Sequence, residues 1–285
     1  MSGFNILYLT HFLNGFLMVA MPVGLVFYLT RKWHLEWRLV WIGGATFILS
    51  QVLHVPFNIL ILNPVVKKFD IAAMALLLGL SAGIFEELSR YAMYRWWAKD
   101  ARSWREGLLL GAGHGGMEAS LLGLYVLYIY LNLVIASTSD LSKIVPANQL
   151  DLALKQVAAY WTAPWYTSLL GAVERAFTIP AHLAMSLLVL QAFTRKKGYW
   201  VILAILWHTI LDASSVYSAK LWGVYITEAI IGGFALVNIG LIFLLRQPEP
   251  PQPEEAPPLP LQPLEFHPTL IEATKENLDD SRYNY

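Results

Sequence analysis

Long apolar runs broken by short polar connectors make up most of this chain. Seven are long enough to cross a bilayer, at residues 5–30, 38–62, 71–97, 104–136, 165–194, 199–218 and 222–245, because about 20 apolar residues in a helix span a ~30 Å hydrocarbon core. The first run lacks a preceding basic segment and reaches Thr30, so it reads as a retained helix rather than a cleaved leader. The pattern predicts an all-α, polytopic membrane bundle of about seven transmembrane helices over residues 1–246.

The connectors set the expected orientation. Arg31, Lys32, Arg38, Arg95, Lys99, Arg102, Arg105, Arg195, Lys196, Lys197 and Arg246 fall on one side, against Lys67, Lys68, Lys143, Lys155 and Lys220 on the other. The positive-inside rule then places the N-terminus outside and the C-terminus in the cytoplasm of a multi-pass protein of the plasma membrane. Residues 137–164 form the one long outer connector, with the mixed apolar and charged pattern of a short amphipathic surface helix. From Gln247 onward prolines recur at 248, 250, 251, 253, 257, 258, 260, 263 and 268. Residues 247–285 therefore read as a disordered cytoplasmic tail, whose Pro-x-x-Pro steps suit a cytoplasmic partner.

Composition agrees with the pattern. Of 285 residues 56% are hydrophobic and only 14% charged, where soluble domains carry about 25% charged residues. A net charge of zero removes electrostatic support for a nucleic-acid partner. With no cysteine, disulfides, iron–sulfur clusters and thiol nucleophiles are excluded.

The candidate chemistry lies inside the spans, where each charge costs about 2.5–3.5 kcal/mol at a helix centre and must face protein. The third span carries Glu86, Glu87 and Arg90 above the small stripe Gly79, Ala82 and Gly83. In the fourth, His114 and Glu118 follow the glycine edge Gly107, Gly111 and Gly115. His182 lies on the fifth, and His208 and Asp212 share one face of the sixth. Counted from the basic ends of their helices, Glu86, His114, His182, His208, Glu118 and Asp212 all sit roughly 14–21 Å deep, near the bilayer midplane. Four helices are thus expected to deliver three histidines and several carboxylates to one plane. His11 and His54 read instead as helix–helix hydrogen-bonding residues, Glu174-Arg175 as an ion pair or site entrance, and Glu228 as interfacial. Three imidazoles with a carboxylate would complete a zinc shell, with a spare glutamate as general base. Metal-free activation of water by Glu86 and a histidine is the alternative.

The ordered set Glu86-Glu87-x-x-Arg90, His114-Gly-Gly-x-Glu118, His182 and His208-x-x-x-Asp212 resembles the YhfC family of intramembrane metalloproteases. That family is placed within the superfamily of type II CAAX prenyl endopeptidases, bacteriocin-processing enzymes and PrsW-like proteases. The resemblance covers about residues 70–218. It implies that Glu86 activates the hydrolytic water, that His114 and His208 bind metal or polarise water, and that Asp212 takes the last motif's Asn/Asp position. It also matches His182 to a third-helix histidine found in some branches. Two departures from the CAAX enzymes, Arg90 four rather than five residues after Glu86 and Leu110 in place of a phenylalanine, argue against prenyl-protein processing. Taken with the shell chemistry, the expected set is Glu86, Glu87, Arg90 and Asp212 for catalysis and His114, His182, His208 and Glu118 for a divalent metal, zinc first. The expected function is intramembrane hydrolysis of a membrane protein or peptide, with an ion-coupled transporter and a non-catalytic scaffold as rivals.

Overall fold

The computed structural model describes residues 6–248 and 274, and within them every regular element is helical. Seven helices are long and apolar enough to cross a membrane: α1 (Ile6–Trp33), α2 (Trp37–Val66), α3 (Ile71–Trp97), α4 (Trp104–Thr138), α6 (Thr167–Thr194), α7 (Tyr199–Leu221) and α8 (Val224–Leu244). Between α4 and α6 lies the short α5 (Leu150–Thr162), none of whose residues is buried. The predicted spans, and a surface helix in the long connector, are thus present. The proline-rich segment from residue 249 onward lies outside the described residues, apart from Thr274.

Local chemistry explains the helix limits. Asp70 accepts a hydrogen bond from the Ala73 amide at 2.9 Å to start α3. Ser103 and Glu106 form a reciprocal capping box at the start of α4, which satisfies two amides that the first turn leaves unpaired. Two π-helical turns, Asn58–Leu62 in α2 and Met93–Trp97 ending α3, widen the helix locally.

Central in the bundle is α6, whose most apolar window is 67% buried, against 11–39% for the others. It packs on α4 and α8, while α3 packs on α7. Small residues set these distances. A Cβ at Gly79 would lie 2.7 Å from the Thr209 carbonyl oxygen, and one at Gly83 2.7 Å from that of Ile205, so α3 meets α7 backbone to backbone. Gly113 presses on Val40 of α2, and Gly115 on His182 of α6, where an added Cβ would lie 2.7 Å from the His182 Cβ. Glycines that each cost about 1 kcal/mol of helix propensity are retained here by close approach on two sides of α4.

Residues at the basic helix ends meet one another. Arg38 pairs with Asp100 at 2.6 Å, Arg105 lies over Trp33 and Arg246 over Trp104, and Trp104 Nε1 donates to the Ile242 carbonyl at 2.8 Å. Large apolar side chains such as Leu60, Leu236 and Leu244 are more than 70% exposed. A surface of that kind is at home in lipid.

Candidate functional site

The site is built where α3, α4, α6 and α7 cross, each contributing a side chain that the glycine contacts bring to one level. On α3, Glu86 is 6% exposed and Glu87 and Arg90 are fully buried. Arg90 pairs through Nη1 with Glu87 Oε1, lies 3.6 Å from Glu86 through Nη2, and donates from Nη2 to His182 Nδ1 at 2.8 Å. One guanidinium therefore holds both glutamates of its own helix and a histidine of α6. Its planar fork of donors suits this geometry.

Glu86 is held on both oxygens. Gln51 Nε2 of α2 donates to Oε1 at 3.2 Å, and His114 Nε2 of α4 meets Oε2 at 3.2 Å. With His114 donating through Nε2, its Nδ1 carries a lone pair; that atom is buried without a hydrogen-bond partner. Since Arg90 can only donate, His182 Nδ1 accepts, so His182 Nε2 bears the proton that faces Glu118 Oε2 at 3.1 Å. Glu118 uses its other oxygen for Arg175 Nη1 at 2.6 Å, and Arg175 also pairs with Glu174. On α7, His208 stands between Glu87 at Nδ1, 2.7 Å, and Asp212 at Nε2, 3.5 Å. A neutral ring can donate to only one of those carboxylates.

All eight residues singled out in the sequence, Glu86, Glu87, Arg90, His114, Glu118, His182, His208 and Asp212, thus lie in one connected network. They do not occupy equivalent places. Glu86, Glu118, His182, His208 and Asp212 line a cavity of about 130 Å³. Glu87 and Arg90 lie behind it, packed against Met185 and His208. Ligand atoms of Glu86, His114 and His182 come within 4.8 Å of one another, the one such metal-competent group among the described residues.

Two histidines and a carboxylate, with room for a further ligand, are the donor set of catalytic zinc sites, and the unpartnered Nδ1 of His114 suits a metal ligand. His182 reaches an ion only with a nitrogen withdrawn from Arg90 or Glu118. Charge points the same way, for Glu86, Glu87, Glu118 and Glu174 share two guanidiniums, Arg90 and Arg175, while Asp212 meets only His208 among the ion pairs of the described residues. Surplus buried anions need a cation or protons to balance them.

Several neighbours were not legible as site members. Gln51 shows in the sequence only as a lone amide in an apolar span, one turn before His54. Arg175, read as an ion pair or entrance, pairs with both Glu118 and Glu174 and lines the cavity. Glu228, near the start of α8, is 7% exposed, because α8 turns Thr227, Glu228, Ile231 and Ala235 toward the bundle. His54 bonds Ser81 at 3.1 Å and Asn58 at 2.9 Å, joining α2 to α3. His11 stacks on Tyr160, ring centres 3.7 Å apart, and meets its carbonyl at 3.3 Å, tying α5 to α1.

Comparison with known proteins gives two matches. The model of the family described as "YhfC intramembrane metalloprotease" matches residues 17–235. The uncharacterized membrane protein YhfC of Bacillus subtilis (strain 168) is 29% identical over 211 residues, which is 72% of this chain and 82% of that protein. No solved structure matches.

Proposed function

We propose that this chain, which belongs to the YhfC intramembrane metalloprotease family, hydrolyses a peptide bond of a membrane-associated protein or peptide, using water activated by Glu86. The observation that carries this reading is the meeting of Glu86, His114 and His182 within 4.8 Å, with Glu86 and His182 on the wall of a cavity inside an apolar helix bundle. Intramembrane ionisable clusters are costly to keep and mark function.

His114 and His182 would hold a divalent metal beside Glu86, zinc by the chemistry of the set, and that metal would supply Lewis acidity to a carbonyl and to water. The chain's own residues do the rest. Glu86 takes the proton of the attacking water and returns it to the leaving amine, its carboxylate held by Gln51 on one oxygen and His114 on the other. Glu118 orients His182, as an outer carboxylate does for a ligating imidazole. Arg90 fixes Glu87, and Glu87 fixes His208. On the cavity wall His208 has a carboxylate at each nitrogen, Glu87 at Nδ1 and Asp212 at Nε2, and in its protonated form it would set a positive charge beside the developing oxyanion.

The same motifs support placing the family in the CAAX endopeptidase and PrsW-like superfamily. The basic helix ends support a cytoplasmic C-terminus in the plasma membrane. The test is purified protein in detergent, stripped with chelator and reloaded with zinc, offered a library of membrane peptides beside Glu86→Gln. Zinc-dependent cleavage that vanishes in the variant is expected. Unimpaired cleavage by Glu86→Gln would overturn the assignment of the base, and substrate flux in liposomes without proteolysis would overturn the reaction.

A further inference from the structure

The cavity beside Glu86 is open at one end and closed at the other. Its lining runs from Met185 and His208, about 14 Å from the basic ends of their helices, to Thr178, Ser215 and Glu174, about 24–30 Å away. Side-chain exposure grows along that path: 8% for Glu86, 20% for Glu118, 34% for Asp212 and 38% for Glu174. On α7, residues 212–217 are all partly exposed. Toward the basic ends the helices close. Residues 181–191 of α6 are buried without a break. One turn beyond His182, Ser186 accepts from the Tyr94 hydroxyl and donates to the Gly107 carbonyl, both at 2.8 Å, which ties α3, α4 and α6 together. Leu109, Leu187 and Leu190 are buried in one core with Tyr94, and interiors packed in this way hold few voids as large as a water molecule.

The carboxylates decide what fills the open end. Asp212 and Glu174 turned toward lipid tails would carry the cost of charge in hydrocarbon, whereas ionisable groups within a membrane face protein or a water-filled cavity. We infer that this cavity is an aqueous funnel that admits substrate from the face opposite the basic helix ends, the outer face by the positive-inside rule.

The direction of the funnel names a substrate class. A membrane protein or peptide whose cleavable segment is presented from the face opposite the basic ends reaches Glu86; a peptide presented at the basic ends meets the closed core around Tyr94 and Ser186. The substrate class rests on the peptidase reading, while the funnel itself does not.

The chain has no cysteine, so single introduced thiols report the sidedness directly. Ser215→Cys and Thr178→Cys, small replacements on the funnel wall, are made beside two exposed reporters, Lys197→Cys at the basic ends and Lys143→Cys in the opposite connector. Full-length protein in sealed vesicles is treated with a sulfonated maleimide, which does not cross the bilayer and reacts with the thiolate. In vesicles that label Lys143→Cys, both wall thiols are expected to react at least tenfold faster than in vesicles that label Lys197→Cys; either variant decides alone should the other fail to fold. Faster labelling from the Lys197 side, equal labelling from the two sides, or no labelling of wall thiols that membrane-permeant N-ethylmaleimide does label, would overturn the funnel. Cleavage is read separately. Complete labelling of Ser215→Cys is expected to cut peptide cleavage at least tenfold, and undiminished cleavage would overturn the funnel as the route of the substrate. One-sided labelling of a protein that cleaves no peptide would leave the funnel standing and remove the peptidase; cleavage with labelling from the basic side would do the reverse.

Discussion

Arg90 on α3 donates to His182 Nδ1 on α6 at 2.8 Å, and this single bond fixes which nitrogen of His182 carries a proton. Because arginine cannot accept, His182 must present Nε2–H to Glu118. Arg90→Lys keeps the charge and loses the fork, so Glu87, Glu86 and His182 can no longer share one donor group. Arg90→Ala goes further and leaves the fully buried Glu87 without its partner. Losses of about 3–5 kcal/mol follow the breaking of a buried pair. Denaturant unfolding in mixed micelles should show that loss for the alanine variant and a smaller one for lysine, and a stable Arg90→Ala protein would refute the clamp.

Gln51 supplies a separable prediction because its amide reaches Glu86 without touching any other member of the site. A hydrogen bond to a charged group contributes about 1.5–3 kcal/mol. Gln51→Leu should therefore slow peptide cleavage roughly ten- to hundredfold while metal content, measured by plasma mass spectrometry, stays at the parent level. Undiminished cleavage in that variant would mean that Glu86 is positioned without α2.

Metal binding and its outer support can be told apart. His114→Ala and His182→Ala should each abolish retention of zinc after gel filtration. Glu118→Gln, which changes only the group behind His182, should weaken zinc by about 10–100-fold, the usual effect of an outer-shell change. Competition with a fluorescent chelator gives the affinities, and equal zinc affinity in Glu118→Gln and the parent would remove Glu118 from that role.

The glycines make a contrasting pair of predictions. At Gly115 an added Cβ would lie 2.7 Å from the His182 Cβ, and at Gly111 2.9 Å from the His182 carbonyl oxygen. Gly115→Ala should cost about 1–3 kcal/mol, the usual penalty of overpacking, and displace His182 with loss of zinc. At Gly240 nothing lies within 4 Å of an added Cβ, so Gly240→Ala should be neutral or stabilising by up to about 1 kcal/mol. Thermal midpoints of the two variants, measured side by side, decide it.

Much of the architecture was open to reading because membrane helices announce themselves by length and apolarity, and a charge inside one is conspicuous. Depth along each helix followed from the 1.5 Å rise alone, which is why Glu86, His114, His182 and His208 could be assigned to one level before any helix was placed beside another. Rotation and partner choice were not open in this way. That Glu87 turns behind the cavity to hold Arg90 and His208 while Glu86 faces it depends on how α3 seats its glycines against Thr209 and Ile205 of α7. That Gln51 joins the site, and that Glu228 is buried against the bundle, depends on which faces of α2 and α8 are covered. A sequence states how deep a residue lies in its own helix; only packing between helices decides which side chains share a hydrogen bond, because that is settled by close contacts among residues far apart in the chain.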